Sequence, residues 1–194
     1  MTRNDTSHKS PYLTGKLLIA MPQMGDPRFH KAVIFVCAHD VNGAMGLVIN
    51  HILPGVDLVE LLAQLHIDDT TPQRPDIPVM SGGPVETARG FILHKGHFQQ
   101  IESLKIESDI YVTGTIDALR AIAQGKGPDD MLFILGYAGW TAGQLDMEMQ
   151  QNAWLVVDAD PDIIFNSNPE ESWERAIKKL GADPAMLVDS VGHA

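Results

Sequence analysis

Residues 136–148 (GYAGWTAGQLDME) have the residue types of a binding site, but they do not indicate a particular reaction. Gly136 and Gly139 allow the chain to turn sharply or another backbone to come close. Tyr137 and Trp140 each present a large apolar ring with one hydrogen-bonding group. An apolar run precedes this stretch and a helical pattern follows it. The sequence therefore predicts a junction of strand, turn and helix around which the fold is organised.

The helix after this junction carries its own start signal. Thr141 and Gln144 have the spacing of a capping box, which predicts a helix over residues 142–151. Gln144 and Glu148 are four residues apart and therefore share one helical face. Glu148 is either a solvated acid or the carboxylate of a pocket, and the rarity of buried glutamates favours the solvated interpretation.

Polar residues at other strand ends are further candidates for the site. Arg89 directly precedes an apolar strand and could clamp a carboxylate or a phosphate. It could equally pair with Asp26 or Glu86 and so tie loops together. Asp26 and Asn50 flank strand ends, where both are typical turn residues.

Two consecutive glycines after a short predicted strand form another candidate. Gly82 and Gly83 lie in the sequence SGGP, and their N–H groups could bind an anion. The lysine and hydroxyl residue of a phosphate-binding loop are missing, and Pro84 removes one N–H donor. A tight turn is therefore favoured over an anion site.

Histidine and cysteine side chains give an enzyme hypothesis that the sequence disfavours. Cys37 and His39 share one strand face but point in parallel, so a buried, inert thiol is favoured. His94 and His97 match no ligand spacing, and no metal is predicted. His39 or His94 as general base, with Arg89 as clamp, would define a hydrolase-like enzyme. No dinucleotide fingerprint or catalytic serine motif is present, and no cofactor is predicted.

The elements that position these residues alternate irregularly between strand and helix. Asn42 and Gly43, between two apolar runs, predict an antiparallel hairpin. Predicted strands cover residues 15–21, 32–39, 44–50, 77–80, 89–94, 110–113, 131–137 and 153–157. Predicted helices cover residues 57–65, 115–123, 142–151 and 168–180, with a short one from residue 183. This order predicts an α+β fold with a mixed, mostly antiparallel sheet.

Composition restricts the class of protein and its compartment. With 194 residues, 44% of them hydrophobic, the chain suits one domain with a real core, preceded by a flexible tail over residues 1–11. The formal net charge of -11 disfavours direct nucleic-acid binding. One cysteine and no apolar leader predict a cytoplasmic protein. No apolar run approaches the roughly 20 residues that span a bilayer, so no membrane segment is predicted.

The motifs occur in an order that resembles the YqgE/AlgH family. The matching segments are residues 15–22 (GKLLIAMP), Asp26, Pro27, Phe29, His39, residues 43–50 (GAMGLVIN), 82–85 (GGPV), 89–94 (RGFILH) and 136–145 (GYAGWTAGQL), Trp154, Leu155 and Trp173. They cover nearly the whole chain after the tail. Asp146 stands where the family often has glutamate, and the carboxylate is retained.

The resemblance implies a single α+β domain over residues 12–194, with flanking helices and a bent sheet that folds toward a pseudo-barrel. It implies no established activity. The family carries the label of a transcriptional regulator of exopolysaccharide synthesis, but this label is not an established function and the family is otherwise uncharacterised. We therefore expect a cytosolic, non-catalytic binding or regulatory module whose partner is a protein or a small molecule. The alternatives are a transcriptional regulator, acting directly or indirectly, and the enzyme above. The expected ligand-binding residues are Asp26, Asn50, Gly82, Gly83, Arg89, Tyr137, Trp140 and Gln144.

Overall fold

The computed structural model of the chain describes residues 12–67, 77–96, 98 and 101–189. The strands within these ranges are β1 (Lys16–Ala20), β2 (Val33–Asp40), β3 (Gly43–Val48), β4 (Ile52–Asp57), β5 (Pro78–Ser81), β6 (Val85–Lys95), β7 (Leu104–Glu107), β8 (Ile110–Thr113), β9 (Met131–Thr141) and β10 (Trp154–Asp158). The helices are α1 (Leu58–Gln64), α2 (Ile116–Ala123), α3 (Gln144–Gln150), α4 (Pro161–Phe165), α5 (Pro169–Lys179) and α6 (Pro184–Asp189). The predicted tail lies outside the described residues.

The strands form a curled, mostly antiparallel half-barrel sheet in one α+β domain, which confirms the predicted fold class. Eight strands follow the order β10-β1-β2-β3-β9-β6-β8-β7, and β5 joins β4 to β9. Strand β9 is central, since its first half pairs with β5 and β6 and its second half with β3. The β5–β9 pair is parallel. Residues in the second half of β9 therefore lie where strands β10-β1-β2-β3 meet strands β6-β8-β7.

Packing on both faces of the sheet fixes the position of α3. Strands β1 and β2 are almost wholly buried, which explains their continuous apolar sequences. Leu17 contributes to the core that contains Trp173 of α5. Its neighbour Leu18 points to the opposite face and packs in a second core with Trp140 of β9 and Leu145 of α3. Helix α3 is thus held against the face of β9 that Trp140 covers.

Most predicted elements are present, and the omitted ones have weak apolar signals. The predicted hairpin is confirmed by the antiparallel pairing of β2 and β3, with Asp40 opposite Gly43. The sequence does not predict strand β4, which is mostly exposed and contains Pro54 and Gly55, residues that are uncommon inside strands. It also does not predict strand β7 and helix α4, which have only four and five residues.

The junction between β9 and α3 differs from the predicted helix start. Strand β9 continues to Thr141, and α3 begins at Gln144 after Gly143, whose φ of 71° turns the chain. One half of the capping box is present, since Gln144 Oε1 accepts the Thr141 N–H at 3.0 Å. The Thr141 hydroxyl lies 3.3 Å from the same oxygen and does not cap the helix. The side-chain amide of Gln144 is consequently fixed with its NH₂ group toward the next helical turn.

Candidate binding site

The carboxylate of Glu148 collects three side-chain N–H groups. Its Oε2 accepts the indole N–H of Trp140 at 2.9 Å and that of Trp154 at 2.8 Å. Its Oε1 accepts an amide N–H of Gln144 at 2.9 Å. The two indoles come from β9 and β10, which are separated by three strands in the sheet. The solvated interpretation of Glu148 is therefore wrong, because the half-buried side chain joins α3 to two distant strands.

Aromatic rings surround this carboxylate. Trp140 and Trp154 are 7% and 2% exposed, and their rings meet edge to face with centroids 6.0 Å apart. Phe29 contacts Trp154 in the same manner at 5.7 Å. Each tryptophan has its ring packed and its polar N–H bonded, as buried tryptophans require. The two indoles form a fixed wall whose N–H groups both point at Glu148.

A cavity of about 400 Å³ opens between α3 and the loop that follows β1. Asp26, Trp140 and Gln144, three of the eight predicted site residues, line it together with Glu148. Gln23 adds another polar side chain from the loop. The volume lies within the roughly 300–1,000 Å³ of small-molecule sites. The structure thus brings these three predicted residues together in one cavity.

Asp26 brings its own counter-charge to this cavity. Arg28 donates from Nε to both carboxylate oxygens, at 3.0 and 3.1 Å, and from Nη2 to one of them at 2.6 Å. These hydrogen bonds hold the pKa of Asp26 below its usual value. Among the ion pairs of the described residues, none includes Glu148. Glu148 is therefore the acid of the cavity whose charge the fold leaves uncompensated.

Arg89 and Tyr137 lie in a second, more open groove of about 500 Å³ that shares Trp140 with the cavity. Arg89 pairs with Glu86 at 3.0 Å, and its guanidinium lies 5.2 Å from the ring centroid of Phe91. Of the pairings considered from the sequence, the structure shows the one with Glu86. Arg89 and Tyr137 are thus near the cavity but outside its lining.

Gly82 and Gly83 pack closely against β9. A Cβ atom at Gly82 would lie 2.3 Å from the carbonyl oxygen of Gly136, and one at Gly83 would lie 2.3 Å from the carbonyl carbon of Tyr137. The N–H of Gly82 donates to the carbonyl of Leu135 at 2.8 Å and is not available to an anion. These glycines allow two backbones to meet, which is a structural role.

Asn50 bridges two backbone segments through its side-chain amide. Its Oδ1 accepts the N–H of Val33 at 2.7 Å, and its Nδ2 donates to the carbonyl of Lys31 at 2.9 Å. Both polar atoms of the amide are used to hold the start of β2. The predicted ligand-binding role of Asn50 gains no support from this arrangement.

His94 does not face the arginine of the enzyme hypothesis. Its ring is fully buried, with Nδ1 3.0 Å from the carbonyl oxygen of Gly96 and Nε2 2.9 Å from the Thr113 hydroxyl. A carbonyl oxygen only accepts, so Nδ1 carries a proton. Arg89 lies five residues earlier on the same strand, about 16 Å away at the usual strand rise. His94 therefore serves a buried hydrogen-bond network.

His39 and Cys37 are also explained by packing. Nδ1 of His39 accepts the N–H of Leu13 at 3.1 Å, and the residue is 7% exposed. Burial raises the pKa of the Cys37 thiol to about 12, which supports the inert interpretation. In the described ranges no group of three or more His, Cys, Asp or Glu could hold a metal, and His97 lies outside those ranges. No helix of the same residues is long and apolar enough to cross a bilayer.

Sequence reasoning missed the centre of the cavity. Glu148 was placed on the helical face of Gln144, yet its two indole partners were not recognised. One signal was available in the sequence: a buried indole N–H needs a hydrogen-bond acceptor, and Glu148 lies only eight residues after Trp140. The approach of Trp154 depends on the pairing of β10 with β1, and the local sequence carries no sign of it.

The fold and the cavity define a class of protein, a single α+β domain with a curled half-barrel sheet and a polar, aromatic-walled cavity beside its central strand. The chain belongs to the AlgH-like family, whose model matches residues 17–185. A UPF0301 protein from Bradyrhizobium sp. strain BTAi1 is 49% identical over 196 residues, covering 97% of this chain and 90% of the relative. A UPF0301 protein from Rhodospirillum rubrum is 47% identical over 183 residues, covering 94% and 95%.

Two solved structures have a similar fold. The solution structure of the AlgH protein from Pseudomonas aeruginosa is 42% identical, with a TM-score of 0.77 and full coverage of both chains. A crystal structure of a protein from Corynebacterium diphtheriae is 19% identical, with a TM-score of 0.69 and coverage of 97% of this chain and 93% of that one. The second likeness shows the fold alone. The resemblance seen in the sequence is confirmed, and the relatives' names give no specific activity.

Proposed function

We propose that this protein is a cytosolic, non-catalytic binding module whose ligand occupies the cavity beside α3. The observation that carries this proposal is the Glu148 carboxylate, held by three N–H groups in the lining of a cavity with aromatic walls. A few fixed polar groups among aromatic side chains are the usual composition of a ligand site. The ligand would be a small molecule or a side chain of a protein partner.

The polar side chains of the site are hydrogen-bonded within the fold, which favours binding. Trp140 and Trp154 fix one carboxylate oxygen of Glu148, and Gln144 fixes the other. Gln144 is held in turn by the backbone N–H of Thr141. A ligand that contacts Glu148 therefore immobilises little additional side-chain freedom, which lowers the free-energy cost of association.

The geometry of the site disfavours the enzyme hypothesis and is compatible with an indirect role in gene regulation. The enzyme with His39 or His94 as base is not supported, because both rings are hydrogen-bonded within the fold and Arg89 is paired with Glu86. A role in gene regulation agrees with a binding module that acts through a partner. Direct contact with DNA is disfavoured by the net charge of -11.

The three indole N–H signals of the protein provide a direct test by NMR. Trp140 and Trp154 report on the cavity, whereas the Trp173 N–H donates to the buried carbonyl of Ala20 at 2.8 Å and serves as an internal reference. A fragment library of cationic, neutral and anionic compounds is titrated into labelled protein. We expect at least one fragment to shift the first two signals and to leave the third unchanged.

Matched variants on α3 locate the binding. Gln144→Leu changes a cavity residue, while Gln150→Leu makes the same change at an exposed position of the helix. The first variant should weaken the fragment shifts and the second should not. A library in which no fragment moves the Trp140 and Trp154 signals, or in which all shifts map elsewhere, would refute the proposal.

A further inference from the structure

We infer that the cavity recognises an organic cation, namely a primary ammonium or guanidinium group that binds the carboxylate of Glu148. This inference rests on the proposed function, since it names the ligand class of the same cavity. The evidence is the hydrogen-bond capacity of Glu148, the charge balance of the cavity and the composition of its walls.

The hydrogen bonds of Glu148 leave one acceptor position open. An ionised carboxylate offers about four lone-pair positions, two on each oxygen. Trp140 and Trp154 use both positions of Oε2, and Gln144 uses one position of Oε1. The open position is the second one on Oε1 of Glu148, whose side chain lines the cavity. A ligand with an N–H donor can therefore complete the set.

The charge balance distinguishes a cationic donor from a neutral one. The three donors to Glu148 are neutral indole and amide groups, which leave its negative charge uncompensated. Arg28 is the basic residue of the cavity lining, and its guanidinium is committed to Asp26 by three contacts. A neutral ligand would fill the open position without balancing the charge, whereas a cation would do both.

The walls also suit a cation. Phe29, Trp140 and Trp154 line the cavity, and aromatic rings attract ammonium and guanidinium groups. The overall charge of -11 raises the local concentration of cations and repels anions. A hard metal ion fits less well, because indole N–H groups are not metal ligands and calcium requires six to eight oxygens.

Matched small probes test the inference on the intact protein. n-Butylguanidinium and n-butylurea have nearly the same shape and differ in charge, and n-butylammonium and pentanoate extend the series. We expect the cations to shift the Trp140 and Trp154 indole signals, with affinities about tenfold higher than that of n-butylurea, because hydrogen bonds between charged partners are the stronger ones. Added salt should reduce this difference.

Two variants assign the preference to one carboxylate. Glu148→Gln keeps the shape of the side chain and should abolish the difference between n-butylguanidinium and n-butylurea. Glu174→Gln, the same change at an exposed position of α5, should preserve it.

The outcomes separate this inference from the proposed function. If n-butylurea or pentanoate binds as tightly as the cations at the two indoles, the cation inference is wrong and the cavity remains a binding site. If none of the four probes shifts the indole signals, the inference is also wrong, and the fragment library alone decides the proposed function.

Discussion

Replacement of Glu148 by alanine should destabilise the fold by about 2–4 kcal/mol. The variant removes the acceptor of two indole N–H groups on residues that are 7% and 2% exposed. An N–H that loses its acceptor in a buried site costs about 1–3 kcal/mol. Water can enter from the cavity and replace part of the lost bonds, so we take about 1–2 kcal/mol for each indole. The hydrogen bond from Gln144 adds little, because this residue is half-exposed and water can replace the lost acceptor.

Urea unfolding followed by circular dichroism measures this change as a shift of the midpoint at constant slope. Glu174→Ala removes an equally charged side chain from an exposed helical position and should change the free energy of unfolding by less than about 0.5 kcal/mol. The indole N–H signals of Trp140 and Trp154 should move toward the positions of solvated indoles in the first variant only. A Glu148→Ala protein as stable as Glu174→Ala would refute the assigned role of the carboxylate.

Three further predictions concern other parts of the fold. Gly83→Ala places a methyl group within 2.4 Å of the β9 backbone and should cost about 3 kcal/mol or more in unfolding experiments, whereas Gly25→Ala has open space and should cost less than about 0.5 kcal/mol. Cys37, with its pKa raised to about 12, should resist a thiol reagent at pH 8 until urea unfolds the protein; rapid labelling of the folded protein would contradict its burial. A hydrogen bond from Lys179 lowers the pKa of Asp160, so this pair contributes stability above the unfolded value near 3.8 and loses it as the pH falls through the folded value. The difference in unfolding free energy between the wild type and Lys179→Gln should therefore be constant well above pH 3.8 and shrink as the pH falls below it, and a difference independent of pH would contradict the pairing.

The fold was predictable where local signals agree with tertiary structure. The Asn42-Gly43 pair between two apolar runs predicted the β2–β3 hairpin, although the turn itself is made by Val41 and Asn42 and Gly43 already belongs to β3. The apolar runs predicted the buried strands. The predicted start of α3 at residue 142 was wrong. The spacing of Thr141 and Gln144 suits Thr141 as a helix cap and also Thr141 as the last residue of a strand. In the folded chain Thr141 completes β9, and Gly143 takes up the turn that Thr141 was expected to make. Local spacing cannot show how far a strand continues when a neighbouring strand offers pairing.

The site was predictable only as far as its residues share one chain segment or loop. Trp140 and Gln144 lie four residues apart in one segment, and the turn at Asp26 was expected beside them. Asn50 and Gly83 were grouped with them because they occur in the same kind of strand-end motif, yet the structure uses them to fasten backbones. A strand-end glycine or asparagine looks the same in the sequence whether it contacts a ligand or another strand.

The need for stability alone does not explain why residue 148 is a glutamate. A glutamine at this position could accept both indole N–H groups through its Oε1 without the cost of holding a charge away from water, and would lose only the hydrogen bond from half-exposed Gln144, because two NH₂ groups would then face each other. Glu148→Gln should therefore change the free energy of unfolding by no more than about 1 kcal/mol, well below the effect of alanine. If glutamine instead destabilises the protein as much as alanine does, the fold itself requires the carboxylate. A stable glutamine variant that has lost its preference for n-butylguanidinium would show that the negative charge serves the ligand, while the oxygen atoms serve the fold.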